Sequence, residues 1–100
     1  MPASTEGATR VTRAGETLRF TGALLRGEVA ALWPQVLTQL DGARRFDLTA
    51  VERVDSAGLA LLAELAERVD GLIVDGAPEG LAELSAAYRL SPQLRFATAS

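Results

Sequence analysis

The chain contains no cysteine, no histidine and no lysine among its 100 residues. Without cysteine there is no disulfide framework and no thiolate site. Without histidine there is no imidazole metal ligand and no Ser-His-Asp triad. All ten cations are arginine, which we read, with the abundant alanine, as coding bias and not as chemistry. Aromatic residues make up only 5% of the chain, with one Trp and one Tyr. No stretch approaches the ~18 consecutive apolar residues that span a bilayer. No basic block is present and the net charge is −3, so nucleic acid is a poor default partner, because phosphate neutralisation needs clustered cations. The first nine residues hold no apolar signal core, and the expectation is a cytoplasmic chain.

What is present points to one globular domain. Hydrophobic residues make up 48% of the sequence, enough for a core at this length without covalent staples. Residues 1–8 read as a disordered tail and 9–97 as the domain. Arg10–Arg13 and Thr17–Thr21 alternate around Ala14-Gly15-Glu16, which predicts a hairpin ended by Gly22. Val29, Leu32, Trp33, Val36, Leu37 and Leu40 fall on one helical face. Pro34 within that run fits either a first turn or a kink. Arg45–Thr49 reads as a third strand, extended through Val51 and Val54 to Asp55. A second helix follows over 56–69, then a short buried strand at Leu72–Val74. Pro78 suits the first position of a third helix, with Leu81, Leu84 and Tyr88 on one face and its end near Leu90. Leu94–Phe96 reads as a last short strand or an extended tail. The order is β-β-α-β-α-β-α, which predicts an α/β domain with a mixed sheet and helices on at least one face.

The junction Val54-Asp55-Ser56-Ala57-Gly58-Leu59 is the most informative stretch. It places a hydroxyl where a helix begins, beside unpaired N–H groups and the positive end of the helix dipole. The hydroxyl can cap the helix, accept a phosphoryl group or touch a partner, and Asp55 is an equally good cap. The helix that follows is apolar over roughly 200° when Leu59, Ala63 and Ala66 are added to a core stripe of about 100°. That flank either packs on a neighbouring helix or forms a docking surface centred on Leu59 beside Ser56. Asp47, Asp55 and Asp75 each fall near a strand end, without metal-ligand spacing. The glycines Gly71, Gly76 and Gly80 do not make a phosphate loop. No nucleophile has a base, and neither an enzyme nor a cofactor is expected.

Phe46-Asp47-Leu48-Thr49-Ala50-Val51 and Val54-Asp55-Ser56-Ala57-Gly58-Leu59 together resemble the signature of STAS domains. In that family a strand ending in Asp-Leu-Ser/Thr leads to an Asp-Ser/Thr-x-Gly turn that opens a helix. The resemblance runs from about residue 10 to 96. Within the family the chain is most similar to the small STAS subunit of the Mla phospholipid ABC transporter. Ala57 and Ala60 stand where anti-anti-sigma factors more often have Ser and Gly. Leu32-Trp33 and the segment Leu81 to Leu90 also look like that subunit, whereas Pro34 departs from its pattern. The resemblance implies a non-enzymatic subunit that binds the transporter's cytoplasmic ATPase, itself joined to a membrane permease. That subunit would be cytoplasmic, peripheral to the inner membrane and active in lipid asymmetry. Asp55, Ser56, Ala57, Gly58, Leu59 and Ala63 would form its partner-binding face. The alternative is an anti-anti-sigma factor whose Ser56 is phosphorylated by an anti-sigma kinase.

Overall fold

A computed structural model describes residues 9–91 and 94. The expected tail at 1–8 and the extended end at Arg95-Phe96 lie outside the described residues. The elements follow the expected order: β1 (Arg10–Ala14), β2 (Thr17–Leu24), α1 (Arg26–Leu37), β3 (Arg45–Val54), α2 (Ser56–Ala66), β4 (Ile73–Asp75) and α3 (Leu81–Ala87). The sheet runs β1-β2-β3-β4. β1 and β2 are antiparallel, while β2–β3 and β3–β4 are parallel. Gly15 makes the hairpin turn at φ 60°, a backbone region open to glycine.

The two parallel pairs need crossovers, and α1 and α2 supply them. Right-handed crossovers between strands laid down in one direction put both helices on one face, and α1 and α2 do touch each other. Leu18, Phe20, Phe46 and Leu48 point into that layer and are fully buried. Phe20 and Phe46 meet edge to face at 5.5 Å, a favourable arrangement of ring quadrupoles. Arg19, Asp47 and Asp75 lie in one row on the other face, in register across three strands. Charged residues dominate that face, and Arg45 pairs there with Asp75.

Strict alternation does not carry through β3. Its register with β2 slips by one residue between Asp47 and Ala50 and again between Val51 and Val54. Each slip adds one residue to β3, as a bulge does. The result keeps Leu48, Val51 and Val54 all inward, although they are spaced by three. β2 likewise runs past Gly22, which sits at φ 87°, as far as Leu24. The sequence expectation stopped it too early, because glycine was read as an end and not as part of a twisted, bulged ladder.

Three helix boundaries also need correction. Pro34 lies in the interior of α1, so the first-turn reading is wrong. The helix continues through it without the bond that a Pro34 N–H would give to Ala30. α2 ends at Ala66 with a turn after it, short of Val69, though Val69 still packs in the core. Pro78 is not in α3. Glu79 bridges to Arg53 alongside β3, which keeps this stretch extended. The helix starts only after Gly80, whose φ of 92° turns the chain. A Cβ on Gly80 would sit 2.5 Å from the Val54 carbonyl oxygen. Ile73 is in register with Arg45 on the helix-free face of the sheet, so it is 47% exposed, and the short buried strand expected at Leu72–Val74 is shifted by one residue. Leu72 just before it is buried.

Candidate functional site

The motif occupies the end of the sheet where β2 and β3 deliver the chain into α1 and α2. Asp55 organises it. One carboxylate oxygen accepts the Gly58 N–H at 2.8 Å and so caps α2. The other accepts the Arg26 N–H at 2.9 Å, at the start of a helix whose own cap position, Leu25, has no capping side chain. The Asp55 N–H donates to the Leu24 carbonyl at 3.2 Å. A single side chain therefore ties the beginnings of two helices together. Partial burial is the largest influence on its ionisation and opposes charge. The N–H groups of Gly58, Arg26 and Ala57, with the Arg26 guanidinium, outweigh it and hold the carboxyl below its ordinary value.

Gly58 shows how close this packing is. A Cβ there would fall 2.0 Å from the Leu24 carbonyl oxygen. The first turn of α2 thus lies directly on the end of β2, and only a residue without a side chain allows it.

Ser56 is the first residue of α2 and is exposed. Because Asp55 does the capping, the serine hydroxyl is not engaged by a hydrogen bond among the described residues. The sequence left the cap open between the two, and the structure assigns it to Asp55. Ser56 stands at one end of an apolar groove of about 220 Å³, with Arg26 beside it and Tyr88 and Leu90 on the opposite wall. Ala57, Ala60 and Ala63 leave room along its α2 side.

Of the two readings open for the α2 flank, packing within the domain is the one found at Leu59, which is 2% exposed at the bottom of the groove and is not the centre of an exposed docking face. Ala63 is also buried. The surface position is Ala60, which the sequence reading did not single out. The broad apolar flank of α2 is thus largely met by its own domain, since α2 touches both α1 and α3. Tyr88, which the spacing puts on one face of α3 with Leu81 and Leu84, is 49% exposed. A Schellman turn puts it there: Leu90 N–H bonds to the Ser85 carbonyl and Arg89 N–H to that of Ala86. Arg89 takes the left-handed conformation at φ 58°, where glycine is usual. No periodic signal announces such a turn, which is why Tyr88 and Leu90 were missed as neighbours of Ser56.

The other expected groupings separate. Asp47 and Asp75 are in register on the open sheet face, and Asp55 lies at the far end of β3, eight residues or about 26 Å along an extended strand. Asp47 is held below its ordinary value first by the Thr49 hydroxyl and then by the Thr49 N–H. Trp33 is half-buried, with the Arg68 guanidinium 5.3 Å from its ring centre. Among the described residues no helix is long and apolar enough to cross a membrane.

Fold and site together define a small α/β domain that presents a serine at the mouth of an apolar groove. The family model described as "Mlab, STAS domain" matches residues 8–95, and the chain belongs to the STAS domain family. No curated protein matches the sequence. A solved structure described as "Crystal Structure Analysis of Mglu" shares 25% identity over 71% of this chain, with a TM-score of 0.47. This chain spans only 19% of that one.

Proposed function

We propose that the protein is a non-enzymatic accessory subunit that binds the cytoplasmic ATPase of a phospholipid-trafficking ABC transporter of the Mla type. It would sit at the inner membrane through that complex and support its assembly or activity. The observation that carries this reading is the match of residues 8–95 to a STAS family described by the Mla subunit's name. The site is consistent with it. Ser56 is exposed and not used as a cap, and the apolar groove beside it suits a protein surface. The test is affinity capture of the tagged chain from its native cells, followed by mass spectrometry. An ABC ATPase recovered with its permease is the expected result. Recovery of a soluble kinase in their place would overturn it.

The second reading is an anti-anti-sigma factor controlled by phosphorylation of Ser56. The free, exposed hydroxyl favours it, because a phosphoryl group there would add about −1.5 to −2 charge at a helix end that tolerates it. Phosphate on Ser56 in protein isolated from cells would support this reading.

A further inference from the structure

α3 borders a second groove, to which the Ser56 motif contributes no residue. It holds about 450 Å³, with Val74 and Ala77 on the sheet side and Leu81, Ser85 and Leu90 on the helix side. Val74 is in register with Phe46, so its side chain points to the helix layer. The sheet ends here: β4 pairs with β3 alone. Ile73 N–H donates to the Arg44 carbonyl at 3.0 Å. Successive residues of a strand turn their N–H and C=O groups to opposite sides. Those of Val74 therefore face outward, where no further strand lies among the described residues. A bare edge of this kind is a template for another extended segment.

The chain itself returns to this place. Leu94 lines the same groove and is buried in the core. It holds a left-handed conformation at φ 63°, with its N–H bonded to the Ser91 carbonyl at 2.8 Å. A leucine stays in that region only where its surroundings fix it. The buried Leu94 side chain thus pins the chain at the groove. Arg95-Phe96-Ala97-Thr98 come next. The other two phenylalanines, Phe20 and Phe46, are fully buried. Two extended residues cover about 7 Å, which brings Phe96 from Leu94 into the groove that Leu94 lines. We propose that Phe96 fills this groove from the same chain, with residues 95–97 laid along the outer edge of β4, and so acts as a strap on α3. Leu90 lines both this groove and the one beside Ser56. Seating Phe96 therefore steadies the wall that carries Tyr88. The strap does not depend on which partner meets Ser56.

The test is nuclear magnetic resonance of the full chain. Ring protons of Phe96 should show Overhauser contacts to the methyl groups of Val74 and Leu81. Phe96→Ala should speed amide exchange at Leu84 and Tyr88, whose N–H groups bond along α3, by about tenfold or more. Phe96→Leu should restore most of the protection. Arg95→Ala, whose side chain would lie on the opposite side of an extended segment, should leave it unchanged. The contacts in the unaltered chain decide the question even if Phe96→Ala does not fold. Their absence would overturn the strap, as would unchanged exchange in a folded Phe96→Ala. Contacts found only between differently labelled copies in a mixed sample would give the groove to a second copy and overturn it as well.

Discussion

The motif end of the molecule and its third β-α unit are built to opposite standards. At the motif end, Asp55 holds two helix starts and Gly58 leaves no room for a single added carbon. In the third unit, β4 has three residues, α3 has seven, and Leu81 is the one buried residue of that helix. α3 begins without a side-chain cap and turns at its end through an arginine in a left-handed conformation. Both regions border the same groove. The Ser56 wall is therefore fixed by crowding and hydrogen bonds, while the Tyr88 wall hangs on a short helix with little buried area. A site with one rigid and one yielding wall keeps the serine in place and lets the opposite side adjust to an occupant. Local stability in a fold follows such differences in burial and bonding.

Substitutions can break or sharpen this contrast. The largest effect is expected for Gly58→Ala. Its methyl would overlap the Leu24 carbonyl, so the backbone of α2 must move, at about 3 kcal/mol or more. A melting temperature lowered by less than about 5 °C would mean that α2 shifts freely, against the crowding described.

Matched leucine truncations compare the two regions directly. Leu62→Ala in α2 empties a fully buried position and should cost about 3 kcal/mol, whereas Leu81→Ala in α3 should cost about 2. Urea unfolding of the pair measures the difference, and equal losses would erase the contrast.

Asp55→Ala removes caps from both helices and should cost about 2 kcal/mol, with Asp55→Asn costing less. The pH dependence has a definite sign. The Asp55 carboxyl is depressed when folded, so its contribution is complete above the unfolded value of about 4 and is lost as pH falls through the lower folded value. Asp47 acts in the same direction. Melts from pH 6 down to pH 2 should therefore show a shallower acid loss for Asp55→Asn than for the parent. Parallel curves would show that Asp55 is not an acid-sensitive tie.

The smallest effect lies in the third unit. Arg89→Gly relieves a left-handed arginine and should stabilise by about 0.5–1 kcal/mol. A loss of stability in thermal melts would show that the Arg89 side chain has a packing role.

Much of this was legible in the chain. Alternation around Gly15 revealed the hairpin, and the run from Arg45 to Asp55 revealed β3 and its entry into α2. The strength of those signals comes from local geometry, because a strand repeats every two residues and a helix every 3.6. Failures occurred where a residue type has two uses. Gly22 ended a strand on paper but sits inside one, and Pro78 opened a helix on paper but belongs to a bridged extended segment. Leu59 illustrates the same limit at the site: its helical angle is correct, but angle alone does not say which neighbour covers it.

The sequence by itself determined the order of elements, the STAS motif at Asp55–Gly58, and the absence of any thiolate or imidazole chemistry. These follow from residue type and from contacts within a few positions. Only the tertiary structure decided that Asp55 caps and Ser56 does not, that Leu59 is covered and Ala60 is not, and that Tyr88 faces Ser56 across a groove. Each of those depends on an element distant in sequence: the start of α1 donates an N–H to the second oxygen of Asp55, and the turn after α3 brings Tyr88 beside α2. Periodicity records a residue's direction from its own helix axis. What waits in that direction is set by how the chain returns.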